Sequence, residues 1–364
     1  MIAVAFDMRD PDRSGLGRVT RSLAHAFTRH AARSGGFRVT LCGPPDALHA
    51  MQAPDGNAPL VPWTGHRHSL RAQREWSRVR RATGPAIWCF THWDVPWHAL
   101  PERYVVFVHD LILLRVPGAT SLPRRLLAQA WIGRAVRHAS RVAVVSEFTG
   151  RDLAARFPAA APRIRVVPNG VDAANFREPT LLTGPAAPFA ARGPFMVSVG
   201  NRKRHKNLLM GVEVLSRVAG LQWIVVGQWF PEWEDVMAQA RQRGVDNRML
   251  VLDAQPDDVL RALYQRAACL FFPSRYEGFG LPLLEALAAG APVVASDAAS
   301  IPEVVGPNAE LCAPDDAAAF AAAVSRAVAS GRSDGTERVA WARAFSWDSS
   351  AARLAAVLEE VACD

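Results

Sequence analysis

The chain has 364 residues, half of them hydrophobic and 21% charged, a globular balance that excludes a disordered chain. No uninterrupted apolar run approaches the roughly 18 to 20 residues that cross a bilayer, which excludes a helical membrane span. The net charge of +8 is unevenly shared: residues 1–182 carry 25 Arg and no Lys against 13 Asp and Glu, whereas residues 183–364 carry 17 basic against 21 acidic residues.

The opening segment "IAVAFDM" (2–8) has no basic leader and meets acidic residues early, so it reads as a strand rather than a signal peptide. Further apolar runs, "FRVTLCG" (37–43), "AIWCF" (86–90), "YVVFVHD" (104–110), "RVAVVS" (141–146) and "IRVVPNG" (164–170), continue a strand series. Helical periodicity lies between them over 18–33, 122–138 and 147–156. A Pro- and Ala-rich stretch at 177–194 interrupts the pattern, which then restarts. The second strand series is "FMVSVG" (195–200), "QWIVVG" (222–227), "MLVLD" (249–253), "CLFFP" (269–273) and "PVVAS" (292–296). Helices are expected near 207–218, 231–243, 257–267, 281–290 and 315–330. Near-continuous apolar strands alternating with helices predict parallel sheets covered on both faces. Two such series predict two Rossmann-like, doubly wound α/β domains, 1–185 and 186–364, with the final helix able to pack back on the first. Five scattered cysteines with no C-x-x-C spacing argue against a disulfide framework or a zinc site and fit a reducing cytoplasm.

In open α/β sheets ligands sit beyond the carboxyl ends of the strands, so the loops there are the places to search. Gly15 and Gly17 follow the first strand, and His109-Asp110 and Asn169-Gly170 follow later ones. The chain's only two lysines, Lys203 and Lys206, fall within "NRKRHKN" (201–207). In "SRYEGFGLPLLEALAAG" a glycine-bearing loop meets a helix whose first turn holds Pro282. Gly278 and Gly280 let the backbone approach a ligand, and unpaired amides at the helix start favour phosphate or hydroxyl oxygen. Glu277 and Glu285 flank that turn, and carboxylates are suited to gripping the hydroxyl pairs of a ribose and a hexose. The plainer alternative is a surface glutamate on an ordinary helix.

The run Glu277-Gly278-Phe279-Gly280-Leu281 through Glu285, followed by "ALAAGAPVVAS", closely resembles the E-x7-E region of retaining glycosyltransferases of family 4, which have the GT-B fold. "SGLGRVTRSL" (14–23), "VFVHDLILL" (106–114), "VVSEFTGRDL" (144–153), "IRVVPNGVD" (164–172), "VSVGNRKRHKNL" (197–208) and "FSWDSSAARL" (345–354) match in the family's order. The resemblance implies two domains facing across a cleft, and transfer of a sugar from a nucleoside diphosphate to an acceptor hydroxyl with retained configuration. It also implies roles. Lys206, before Asn207, binds the diphosphate together with an arginine, Arg202 being favoured over Arg204. His109 reaches the donor sugar without acting as a general base, and Asp110 is its structural partner. Gly17 lets the first loop approach the phosphates, and the Glu277–Leu281 run with Glu285 holds the donor. No metal or other cofactor is implied, because fixed side chains supply the charge; the lone D-x-D, Asp10-Pro11-Asp12, lies in a loop. Lys203 reads as a solvated loop charge.

The basic first half suits something anionic: a phosphorylated substrate, a membrane surface or nucleic acid. The Arg-rich helices at 66–84 and 122–141 could lie on anionic lipid, at the inner face of the membrane. Nucleic acid is disfavoured because no RNP-like, helix-turn-helix or zinc signature is present. A phosphorylase or epimerase of the same fold is a further rival. The motif pattern looks most like bacterial mannosyltransferases of polysaccharide assembly. GDP-mannose is therefore the favoured donor and a glycan or lipid-linked hydroxyl the acceptor, with rhamnosyl, fucosyl or glucosyl transfer as alternatives.

Overall fold

The computed structural model describes residues 1–9, 14–46, 58–331 and 334–364, so the Asp10–Asp12 stretch lies outside the described residues. The chain forms two compact units, Met1–Gly170 with Trp347–Asp364, and Val171–Ser346. The first therefore ends earlier than the expected 185, and it regains the chain at Trp347.

In order, the first unit contains β1 (Ile2–Asp7), α1 (Ser14–Ser34), β2 (Phe37–Gly43), β3 (Leu60–Pro62), α2 (Leu70–Thr83), β4 (Ile87–Phe90), β5 (Tyr104–Val108), α3 (Leu122–His138), β6 (Arg141–Val144), α4 (Glu147–Arg156) and β7 (Ile164–Val166). The second contains β8 (Phe195–Val199), α5 (Leu209–Arg217), β9 (Gln222–Val226), α6 (Trp233–Gln242), β10 (Met249–Leu252), α7 (Asp257–Arg266), β11 (Cys269–Phe272), α8 (Leu281–Ala288), β12 (Val293–Ser296), β13 (Glu310–Cys312), α9 (Ala317–Ser330) and α10 (Thr336–Arg343). Helix α11 (Trp347–Cys363) completes the first unit.

Each sheet is parallel. The first is ordered β3-β2-β1-β4-β5-β6-β7 and the second β10-β9-β8-β11-β12-β13. In both, the chain steps outward from a central strand, then returns to that strand's other side. Strand order thus reverses between β1 and β4, and between β8 and β11, which leaves a crevice beyond their carboxyl ends.

The strand sequences explain why both faces are covered. Ala5, Trp88, Phe90, Tyr104 and Val106 enter a core with Trp76, Ile132 and Leu153 of α2, α3 and α4. Their neighbours Val4, Phe6, Ile87, Cys89, Val105 and Phe107 face Leu23 and Phe27 of α1 and Leu354 and Leu358 of α11. The period-two alternation of a strand sends successive apolar side chains into two different cores. Arg141 and Arg165 pin the end of α11 through Glu360, at 2.8 and 2.9 Å.

Three local readings need correction. Helix α1 starts at Ser14, so Gly15 and Gly17 lie in its first turn rather than in a loop. Strands β3 and β13, three residues each, are too short to announce themselves by alternation. Helix α2 turns Ala72, Gln73, Trp76 and Val79 inward, so its apolar residues serve the core and its arginines face outward. Among the described residues no helix is long and apolar enough to cross a membrane.

Candidate active site

The reversal between β8 and β11 brings two loops side by side. The first begins at Gly200, whose φ of 136° no other residue type adopts readily. A Cβ on Gly227, at the end of neighbouring β9, would lie 1.8 Å from the Gly200 carbonyl oxygen, so this approach requires a glycine at 227. A single 3-10 turn, Arg204–Lys206, then ends at Asn207 in the left-handed conformation, φ 53° and ψ 38°. Asparagine tolerates that conformation, and its Nδ2 donates to the Pro314 carbonyl at 2.9 Å. Asn207 thereby sets the direction of the residue before it.

Lys206 Nζ donates to Glu277 Oε1 at 2.6 Å and lies 5.1 Å from the Phe272 ring centre. Both side chains are nearly enclosed, at 13% and 9% exposure. Glu277 stands on the second loop. Ser300 Oγ fixes that loop by hydrogen bonding with the carbonyls of Glu277 and Phe279, at 3.0 and 3.2 Å. Gly278 and Phe279 are buried beneath the turn, and Gly280 closes it at φ 95°, where a Cβ would meet Leu283 at 2.8 Å. Helix α8 then starts at Leu281 with Pro282 in its first turn. A desolvated ammonium and carboxylate thus sit together in the crevice where the topology places ligands.

The remaining basic residues of the first loop separate. His205 is buried, and burial followed by the Lys206 charge lowers its pKa to about 4, so a neutral imidazole backs the ammonium. Arg202 is also buried. Its NH2 donates to the Leu252 carbonyl at 2.8 Å, stands 3.5 Å from Asp253, and its guanidinium lies over Trp233. Burial lowers the pKa of this arginine despite Asp253. Its partners therefore lie at the end of β10. Arg204 is exposed. Lys203 is not simply solvated, because its ammonium rests 4.7 Å from the Phe230 ring centre. Glu285, buried in α8, accepts a hydrogen bond from Tyr264 of α7 at 2.9 Å, a partner that its spacing from Glu277 did not reveal.

In the first unit His109 follows β5, half-buried, and its Nε2 lies 2.8 Å from the Thr91 carbonyl. A carbonyl only accepts, so Nε2 carries the proton and Nδ1 is left as an acceptor. Burial lowers the ring's pKa to about 4, with the Arg67 charge adding to the effect against the Thr91 bond. His109 is accordingly neutral near pH 7. Asp110 accepts from the Ile112 amide at 3.0 Å and caps a short helical turn. Gly17 is buried in α1.

Sequence reasoning missed a charged cluster at the reversal between β1 and β4. Arg9, fully buried, donates to Asp7 at 2.7 Å and to Asp94 at 3.2 Å, with its guanidinium 4.0 Å from the centre of Trp63. Asp94 also accepts the His68 amide at 2.8 Å and lies 3.2 Å from His68 Nδ1. Burial works to raise the Asp94 pKa, but His68 and Arg9 hold it below the usual carboxylate value. The signal available was Asp7 and Arg9 at the end of an apolar strand, where charge is costly unless paired. A cavity of about 730 Å³ opens at the opposite edge of the first unit, beside Ile2, Ala3, Arg80, Arg81 and Arg103. It lies at the amino ends of the strands, away from the crevice between β1 and β4, and none of the site residues lines it.

Residues 13–175 match the family described as Glycosyltransferase Family 4, and residues 193–330 match Glycosyl transferases group 1. The chain is 28% identical over 257 residues to the O-antigen chain mannosyltransferase B of Escherichia coli, covering 68% of each chain. It is 31% identical over 256 residues to the MMP alpha-(1->4)-mannosyltransferase of Mycolicibacterium hassiacum, covering 65% of this chain but 59% of that one. Among solved structures, Anabaena HepE in complex with UDP and glucose superposes with a TM-score of 0.73 at 16% identity, over 99% of this chain and 100% of the other.

Proposed function

The chain belongs to the GT-B glycosyltransferases, family 4 in its first half and group 1 in its second, and on that premise we propose a retaining, metal-independent hexosyl transfer from a nucleoside-diphosphate sugar. The observation that carries this reading is the Lys206–Glu277 pair in the second crevice. As the glycosidic bond breaks, negative charge collects on the diphosphate, and a fixed ammonium aimed there stabilises that state more than the ground state. Lys206 supplies the ammonium. An arriving phosphate oxygen exchanges for Glu277 Oε1, which frees the Glu277 carboxylate to hold a sugar hydroxyl. His109, neutral and tied to Thr91, positions the donor sugar without exchanging a proton, and the departing phosphate takes the acceptor proton. Glu285 serves the ribose by sharing its carboxylate between Tyr264 and the ribose hydroxyls. Arg202 completes the phosphate site if it leaves the Leu252 carbonyl.

Mannose is the favoured sugar because both reported relatives are named as mannosyltransferases. The structural neighbour holds UDP and glucose, which keeps glucosyl transfer as the second reading. A glycan or lipid-linked hydroxyl is the proposed acceptor. The start of α3 supports contact with an anionic membrane: Leu122, Leu126 and Leu127 are exposed beside Arg124 and Arg125. Thermal-shift measurements across GDP, UDP, dTDP and their sugars test the donor directly, since a ligand that binds only the folded state raises Tm. Preferential stabilisation by GDP and GDP-mannose supports mannosyl transfer. A preference for UDP species favours the glucosyl reading, and no response to any of them rejects the proposal. Turnover that requires added manganese would overturn the metal-independent mechanism.

A further inference from the structure

We infer that the first unit carries a binding subsite for a pyranose ring, with Trp97 and Trp131 as its stacking surface and His68 as its hydroxyl partner. The inference rests on the glycosyltransferase reading, and it names the acceptor feature recognised as a sugar ring.

Three observations carry it. Trp97, in the loop after β4, remains 39% exposed although it packs on half-buried Trp131 of α3, with ring centres 5.4 Å apart. Exposing an indole forgoes the gain from burying it, so a rigidly held exposed one points to a contact yet to be made. This loop is held rigidly. The Trp97 amide donates to Gln73 at 2.7 Å, and Arg134 donates to the carbonyls of Pro96 and Trp97, both at 2.8 Å. Trp76 donates to the Ala99 carbonyl at 3.0 Å. The indole is presented by a backbone that has little left to lose on binding.

The second observation is the imidazole beside the indoles. His68 stacks on Trp131 at 5.1 Å between centres and 20° between planes. It is a non-glycine residue at φ 61°, a strained conformation that persists only where its surroundings impose it. Asp94 imposes it, by accepting the His68 amide and facing Nδ1, while Arg9 holds Asp94 from behind. With Nδ1 facing the carboxylate at 3.2 Å, Nε2 is the ring nitrogen left to meet a ligand hydroxyl. The ring is also 39% exposed, so a ligand can reach it.

The third observation is chemical fit. A pyranose presents a flat face of C–H groups and a rim of hydroxyls. A flat aromatic surface with one oriented polar group beside it matches both. A lipid chain would use the indoles but leave the imidazole and its carboxylate support without purpose.

Saturation-transfer NMR on the full chain tests this, with methyl α-mannopyranoside, α-glucopyranoside and α-galactopyranoside as separate probes and irradiation of aromatic protons. At least one pyranoside should receive saturation on its ring C–H protons. Trp97→Ala should weaken that binding about tenfold, the scale of losing a tryptophan anchor, whereas Trp97→Phe should keep most of it. His68→Asn, chosen because asparagine tolerates the left-handed backbone, should weaken it too while Tm stays near wild type. No saturation with any probe, or saturation unchanged in Trp97→Ala, overturns the subsite. So does a Trp97 that contributes only to binding of phosphatidylglycerol vesicles. Nucleoside-diphosphate thermal shifts on the same samples keep the two failures apart. Shifts without pyranoside binding overturn the subsite alone, and absent shifts overturn the transferase reading beneath it.

Discussion

Arginine and lysine do different work in this chain. In the first unit, Arg78, Arg80, Arg103, Arg134 and Arg163 all donate to main-chain carbonyls, which a five-donor planar guanidinium does well. Much of the basic excess therefore ties loops and helix ends together. Lys206 instead offers a compact point charge. The placing of Lys206 and Glu277 on the loops at this crevice was legible because glycines, a strand end and a helix start surround each in sequence. The Tyr264 partner of Glu285, the Leu252 partner of Arg202 and the Asp94 partner of Arg9 were not, since tertiary packing alone creates those pairs. Lys206→Ala should lower kcat about 100- to 1000-fold, the cost of removing one preorganised charge-stabilising donor. It should also lower stability, because an enclosed carboxylate loses its counter-charge. Combining it with Glu277→Gln should restore Tm without restoring transfer, and paired unfolding and turnover measurements separate the two effects. A recovered kcat would reject the leaving-group role. The buried imidazoles make a second prediction. His109 and His205 have folded pKa values of about 4 against an ordinary 6.5, so they favour the folded state while neutral. That contribution is complete above pH 6.5 and is lost as pH falls from 6.5 toward 4, because the unfolded chain takes up protons first. Urea denaturation at pH 7.0, 5.5 and 4.5 should show stability falling by up to about 1.4 kcal/mol per pH unit for each histidine. His205→Gln should flatten the dependence of the second unit.

At the scale of elements, long strands and helices were legible because their periodicity spans several turns or pleats. Helices α3 and α4 fall at the expected 122–138 and 147–156. Short β3 and β13 carry too few residues for a period, and their place comes from pairing with β2 and β12. The first helix begins earlier than its apolar pattern because glycines, poor helix formers, occupy its opening turn. The tightest joint between elements is that of Gly200 and Gly227, where β8 and β9 release their loops. Gly227→Ala should destabilise by about 3 kcal/mol or more, since the added carbon overlaps backbone that cannot swing aside. Its Tm should fall well below that of Gly84→Ala, where a Cβ would meet nothing within 4 Å and only the positive φ of 72° opposes the change. Equal losses would show that the loop relaxes.

Across the whole molecule, two doubly wound units were legible from the repeated strand series, but the boundary was not. The Pro- and Ala-rich stretch marked a linker by composition, whereas compactness divides the chain at Gly170 and again at Ser346. The last helix carries Leu354, Leu358 and Val361 into the core of the first unit. Ending the chain at Ser346 should therefore expose that core and yield aggregated or dye-binding protein, checked by solubility and near-UV circular dichroism. A soluble, well-packed truncation would contradict the packing. The exposed leucines of α3 lead to a further expectation: Leu126→Glu with Leu127→Glu should abolish sedimentation with phosphatidylglycerol vesicles and spare turnover on soluble acceptors. The scarcity of lysine has an analytical consequence as well. Besides the terminal amine, an acylating reagent meets only two amines along 364 residues, one over Phe230 and one against Glu277. Mass spectrometry of a single short segment then becomes an occupancy meter. A bound nucleoside diphosphate should shield Lys206 from acetylation and leave Lys203 reactive.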